Sequence, residues 1–166
     1  MKISAKQIAL GGMMAALAVV VMSLGGLIPV ATYVCPMLCM LLELTVCLFC
    51  GTRIAWAWYG AVSILSLLLG PDKEAATVFC FLGYYPIVKP RLDCMKLSVL
   101  WKGLLFNASM LVMYWLLMHL FGMTELAEDF SEFGKWTAII LLGLGNVTFF
   151  LLDRVLKVFA WKLGRR

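Results

Sequence analysis

A single histidine, His119, stands among 166 residues. One imidazole leaves little room for acid–base chemistry. The chain also has no GxxxxGK[ST] phosphate loop, no HExxH and no GxSxG. Those absences argue against ATP hydrolysis of the usual kind, metalloprotease chemistry and a serine nucleophile elbow. No enzyme is expected, and no cofactor. Charge is sparse, with 14% of residues charged and only nine of them acidic. The pair Cys47 and Cys50, in "CLFC", lacks the second ligand pair of a convincing zinc site. No internal repeat or low-complexity segment interrupts the chain, which predicts one domain over residues 1–166.

What is present is grease. Hydrophobic residues make up 64%, and the mean hydropathy is +0.99. A soluble domain of this length could not cover so much apolar surface. A bilayer core takes about 20 apolar residues per helix, and runs of that order follow one another along the sequence. The apolar stretch from Ile8 to Val30 is longer than a signal-peptide core and reads as a span. The sequence predicts an all-α, polytopic membrane bundle. Six spans are expected: Ser4–Ser23, Pro29–Cys50, Arg53–Leu69, Lys73–Val88, Met95–Phe121 and Lys135–Trp161. The acidic segment "GMTELAEDFSEFG" is expected to be the loop before the last.

Basic residues set the orientation. With six spans, Lys2, Lys6, Arg53, Lys89, Arg91, Lys96, Lys102, Arg154, Lys157, Lys162, Arg165 and Arg166 share one side, and only Lys73 and Lys135 take the other. Both termini are therefore expected in the cytoplasm. The fourth span is short, fenced by "GPDKE" and "KPRLD". At about 1.5 Å per residue it barely crosses a core about 30 Å thick. Either its flanking lysines snorkel, or it is a broken helix buried among neighbours.

Polar residues within the spans are the candidate functional groups. Glu43 lies about 12 Å deep by helical rise. It reads as a proton site, a cation site, a lock to Arg53 or Lys102, or a hydrogen bond to a neighbouring helix. Cys35, Cys39, Cys47 and Cys50 share its stripe, and thiols with a carboxylate suit a soft metal, although membrane helices also use Cys as a small apolar residue. Asn107 and Asn146 read as interhelical amides. His119 and Asn146 also lie toward the outer half, where they could line a pocket. Asp153 and Lys157, four apart, read as a local ion pair. Tyr33 and Trp136 stand at outer helix ends, as interfacial aromatics or as stacking surfaces for a flat ligand.

The first span opens "SAKQIALGGMMAALAVVVM". Ala5, Ala9, Gly12 and Ala16 share one face, with Gly11, Ala15 and Ala18 beside it, a pattern that admits close helix approach. With six spans and a Gly/Pro turn after the first, the chain resembles the S component of energy-coupling-factor (ECF) transporters. The resemblance implies a subunit that binds a vitamin, nucleobase or related micronutrient near the outer face. It implies docking through Ala5, Ala9, Gly12 and Ala16 onto a transmembrane coupling subunit driven by ATPases. The pocket it implies draws on Tyr33, Asp72, Glu74, His119, Trp136 and Asn146, with Thr32 and Lys73 nearby. A bacterial inner membrane would be the setting, and nucleic acid is no expected partner. Two other readings stand beside it: a small MreD-like membrane scaffold, and an ion-coupled carrier using Glu43.

Overall fold

The computed structural model describes residues 4–25, 31–120 and 124–164, with side chains except at 31, 117–139 and 141. It is helical along these segments. The helices are α1 (Ala5–Leu24), α2 (Ala31–Cys50), α3 (Thr52–Leu69), α4 (Lys73–Leu82), α5 (Tyr85–Asp93), α6 (Ser98–Leu120) and α7 (Thr124–Gly164).

The turns explain why the helices stop where they do. Ser4 precedes α1, and its backbone N–H donates to Gln7 Oε1 at 3.1 Å, half of a capping box. Between α2 and α3 stands one residue, Gly51, at φ 89°. Such a tight reversal needs the left-handed region that only glycine enters cheaply. In the "GPDKE" turn the first two of the three charges are helix caps. Asp72 Oδ1 accepts from Ala75 N at 3.0 Å at the start of α4. Lys73 Nζ donates to Leu67 O at 2.7 Å and Gly70 O at 3.0 Å, closing the carbonyl end of α3. Each puts its charge at the helix end whose dipole favours it.

The segment expected as a short fourth span is two helices. α4 ends at Leu82, and α5 begins with Pro86 in its first turn. Gly83 N donates to Phe79 O at 2.6 Å, and a Cβ at Gly83 would collide with that same oxygen. A proline that cannot donate and a glycine that cannot be replaced mark the break. α4 buries Ala75, Ala76, Thr77, Val78, Phe79 and Leu82. Of the two explanations for its brevity, the broken and buried helix is the observed one.

α2 is the hub, packing against α1, α3, α4, α5 and α7. Around it lie Cys39, Met40, Val46, Val62, Phe79 and Tyr85, each no more than 2% exposed. Phe149 joins α7 to this core, stacked on Phe106 at 4.7 Å and edge-on to Tyr85 at 4.8 Å. Polarity runs opposite to that of a soluble protein. Met13, Leu68 and Ile140 are about 70% exposed, while Glu43, Ser63, Ser66, Lys89 and Lys102 are buried. Soluble proteins rarely expose apolar surface on this scale, and the pattern is that of a membrane protein.

Among the described residues four helices are long and apolar enough to cross a membrane: Ala5–Leu24, Thr32–Cys50, Thr52–Leu69 and Ser98–Leu116. The fourth expected span is absent from that set because of its break. The last differs in another way. The segment expected as an acidic loop is helical from Thr124, and α7 continues for 41 residues to Gly164. That is about 60 Å of helix. Glu, Leu and Ala are good helix formers, so the acidic segment has no local reason to break.

Candidate functional site

At the end of the bundle where α1 stops and α4 starts, three helices bring polar aromatic groups together. Tyr33, in the first turn of α2, donates its hydroxyl to Glu74 Oε1 of α4 at 2.7 Å. Tyr114 of α6 lies beside Tyr33. Asp72 sits at the rim, next to Gly25 and within electrostatic reach of Cys35. Two phenols and a carboxylate offer donors, acceptors and flat faces at this end of the bundle. Tyr33 keeps 43% of its surface exposed.

Of the six expected pocket residues, Tyr33, Asp72 and Glu74 thus occupy one end. Asp72 gives one oxygen to the α4 cap. The side chains of His119 and Trp136 lie outside those described. Asn146 makes a reciprocal amide pair with Asn107 instead: Asn146 Nδ2 donates to Asn107 Oδ1 at 2.9 Å, and Asn107 Nδ2 to Asn146 Oδ1 at 3.2 Å. Each amide also donates to the carbonyl four residues back, Leu142 and Gly103. Both amides are satisfied within the α6–α7 contact, in the manner of polar links between membrane helices.

The two small-residue faces of α1 have different fates. Gly11 and Ala18 are buried and Ala15 is half-buried, and a Cβ on Gly11 would come within 3.5 Å of Ile54 Cγ2. This face packs on α2 and α3. Ala5, Ala9, Gly12 and Ala16 are all exposed, and nothing lies within 4 Å of a Cβ placed on Gly12.

Along α2 the thiols meet the α1 backbone. Cys39 Sγ donates to Ala18 O at 3.6 Å and Cys50 Sγ to Gln7 O at 3.4 Å. Gln7 Nε2 donates in turn to Phe49 O at 3.3 Å. Among the described residues no three of His, Cys, Asp and Glu are placed to hold a metal. Glu43 is completely buried, and neither carboxylate oxygen has a partner. The expected lock is not made, for Arg53 is exposed and Lys102 is engaged elsewhere.

That engagement is the feature sequence reasoning missed. Lys89 of α5 and Lys102 of α6, both nearly buried, converge on Asp153 of α7. Lys102 also pairs with Asp93, and Lys89 lies 3.7 Å from it. The Tyr85 hydroxyl donates to Asp153 as well. Asp153 is therefore no local partner of Lys157, which is exposed. Two cations, two carboxylates and a phenol balance charge where α5, α6 and α7 meet. The partners are 64 and 51 residues apart, beyond any helical spacing.

A shallow groove of about 250 Å³ runs between α2 and α7, lined by residues including Val34, Leu38, Leu41, Leu151 and Val155. Its one hydroxyl, on Thr148, donates to its own helix at Leu144 O. The groove suits an acyl chain better than a polar solute. The chain matches no known protein family, no curated protein and no solved structure.

Proposed function

We propose that this protein is the membrane-embedded, substrate-binding subunit of an uptake system. It would take a small micronutrient, of the vitamin or nucleobase kind, at the Tyr33–Glu74–Tyr114 end. It would then dock on separate ATP-driven coupling subunits through α1, in the manner of an ECF S component in a bacterial inner membrane. The observation that carries this reading is the open face of Ala5, Ala9, Gly12 and Ala16. Large aliphatic residues fill lipid well, whereas small ones leave a shallow trough that only a closely approaching helix fills. One small-residue face of α1 already serves packing within the chain, and the second has no partner among the described residues. The polar aromatic end supports the substrate half of the reading.

The test is partner recovery from native membranes. Gently extracted wild-type protein is expected to carry ATP hydrolysis that the chain itself has no motif to perform. Gly12→Leu and Ala9→Leu should lose that activity, while Leu17→Ala, on an exposed large position, should keep it. Equal recovery in all variants would contradict docking through this face. A scaffold would instead be recovered with other membrane proteins and no solute.

A further inference from the structure

Among the described residues Glu43 has no counter-charge, although the protein is formally +5. The described basic side chains on helices packed against α2 can be followed one by one. Lys6, Arg53, Arg91, Arg154, Lys157 and Lys162 are exposed. Lys73 caps α3, and Lys89 is held by Asp153 and Asp93. Lys102, on α6, is held by the same two aspartates. The titratable neighbours that sense Glu43 are Cys39 and Cys47 on its own helix and Tyr59 on α3, none of them a cation. A lone carboxylate away from water costs several kcal/mol or far more, and none of the described cations offsets it.

α3, which packs against α2, carries further unsatisfied groups. Ser63 Oγ, Ser66 Oγ and Trp58 Nε1, on the face of α3 turned toward the core, are buried without hydrogen-bond partners. Ser63 lies within side-chain reach of Tyr59 and Cys80, and the Tyr59 hydroxyl donates to the Cys80 carbonyl. Native interiors satisfy nearly all such groups. Several orphans on two packed helices point to a small occupant rather than to separate accidents.

We propose that Glu43 is the anionic centre of an internal site for a monovalent cation from the medium, a proton or a sodium ion, with Ser63 and Ser66 as neutral oxygen ligands. Hard oxygen donors and one negative charge match a singly charged hard ion. A transition metal would seek the thiols instead, and those nearest α1 donate to backbone carbonyls. The Trp58 indole can only donate, so its acceptor is an ordered water or a Glu43 oxygen once the site is filled. This site does not rest on the micronutrient reading, and either stands if the other fails.

The test is infrared difference spectroscopy of the full-length protein in detergent at neutral pH, wild type against Glu43→Gln, in sodium and in choline chloride. A protonated-carboxyl band, sensitive to deuterium and absent from Glu43→Gln, supports the proton. A carboxylate band with saturable sodium-dependent thermal stabilisation, both absent from Glu43→Gln, supports sodium. An ionised Glu43 indifferent to sodium overturns the proposal, because its charge would then be balanced by the protein or by open water. Ser66→Ala supplies a control should Glu43→Gln fold poorly. It should move the protonated band or raise several-fold the sodium concentration at half effect, and no response to it overturns the site as drawn.

Discussion

At the scale of the residue, the strongest single dependency is Asp153. It faces two nearly buried lysines and a phenol, so removing it leaves two cations to share the one remaining carboxylate, Asp93. Breaking a buried pair in this way costs about 3–5 kcal/mol, whereas replacing the whole set by apolar groups is often neutral. Asp153→Ala is accordingly expected to lower the denaturation midpoint in detergent sharply. Asp153→Leu combined with Lys89→Met and Lys102→Met should recover much of the loss. If Asp153→Ala melts like wild type, the cluster contributes nothing to stability. None of this was legible in the sequence. Asp153 has a lysine four residues on, and the local rule points there, because the true partners meet only after three helices have packed.

At the scale of the element, the apolar helices were readable because the bilayer imposes length and hydropathy on them. The broken fourth span was half readable. Charges fenced it and its short length made a broken helix one of two explanations, but the collision at Gly83 requires the positions of Phe79 and its carbonyl. The start of α7 was misread because acidic residues suggest a loop, though they are good helix formers. Two glycines should separate backbone need from packing. Gly51→Ala, at φ 89°, should destabilise by about 1–2 kcal/mol. Gly12→Leu, facing open space, should stay within about 0.5 kcal/mol. Thermal unfolding in one detergent compares them, and the reverse order would contradict these assignments.

At the scale of the whole molecule, the all-helical membrane character was legible and the candidate site was so in part. Tyr33 and Glu74 could be assigned to one end from span order, but their hydrogen bond and the approach of Tyr114 follow from helix rotation. Topology is tested by labelling cysteine-substituted protein with an impermeant thiol reagent. A cysteine at Pro71, in the turn that the proposed orientation places outside, should react in intact cells. Cys94, exposed between α5 and α6, should react only after permeabilisation. The opposite pattern would invert the bundle and remove the outer end as a solute site.

The central claim is that the Tyr33–Glu74–Tyr114 end binds a small solute. The most direct measurement is a thermal-shift screen of the purified protein against vitamins, nucleobases and amino acids. A ligand at a hundred times its dissociation constant adds about 2.7 kcal/mol to stability. The account predicts a hit that weakens in Tyr33→Phe and Glu74→Gln and survives in Gly12→Leu. A hit unaffected by Tyr33→Phe and Glu74→Gln, or no hit across the panel, would contradict it.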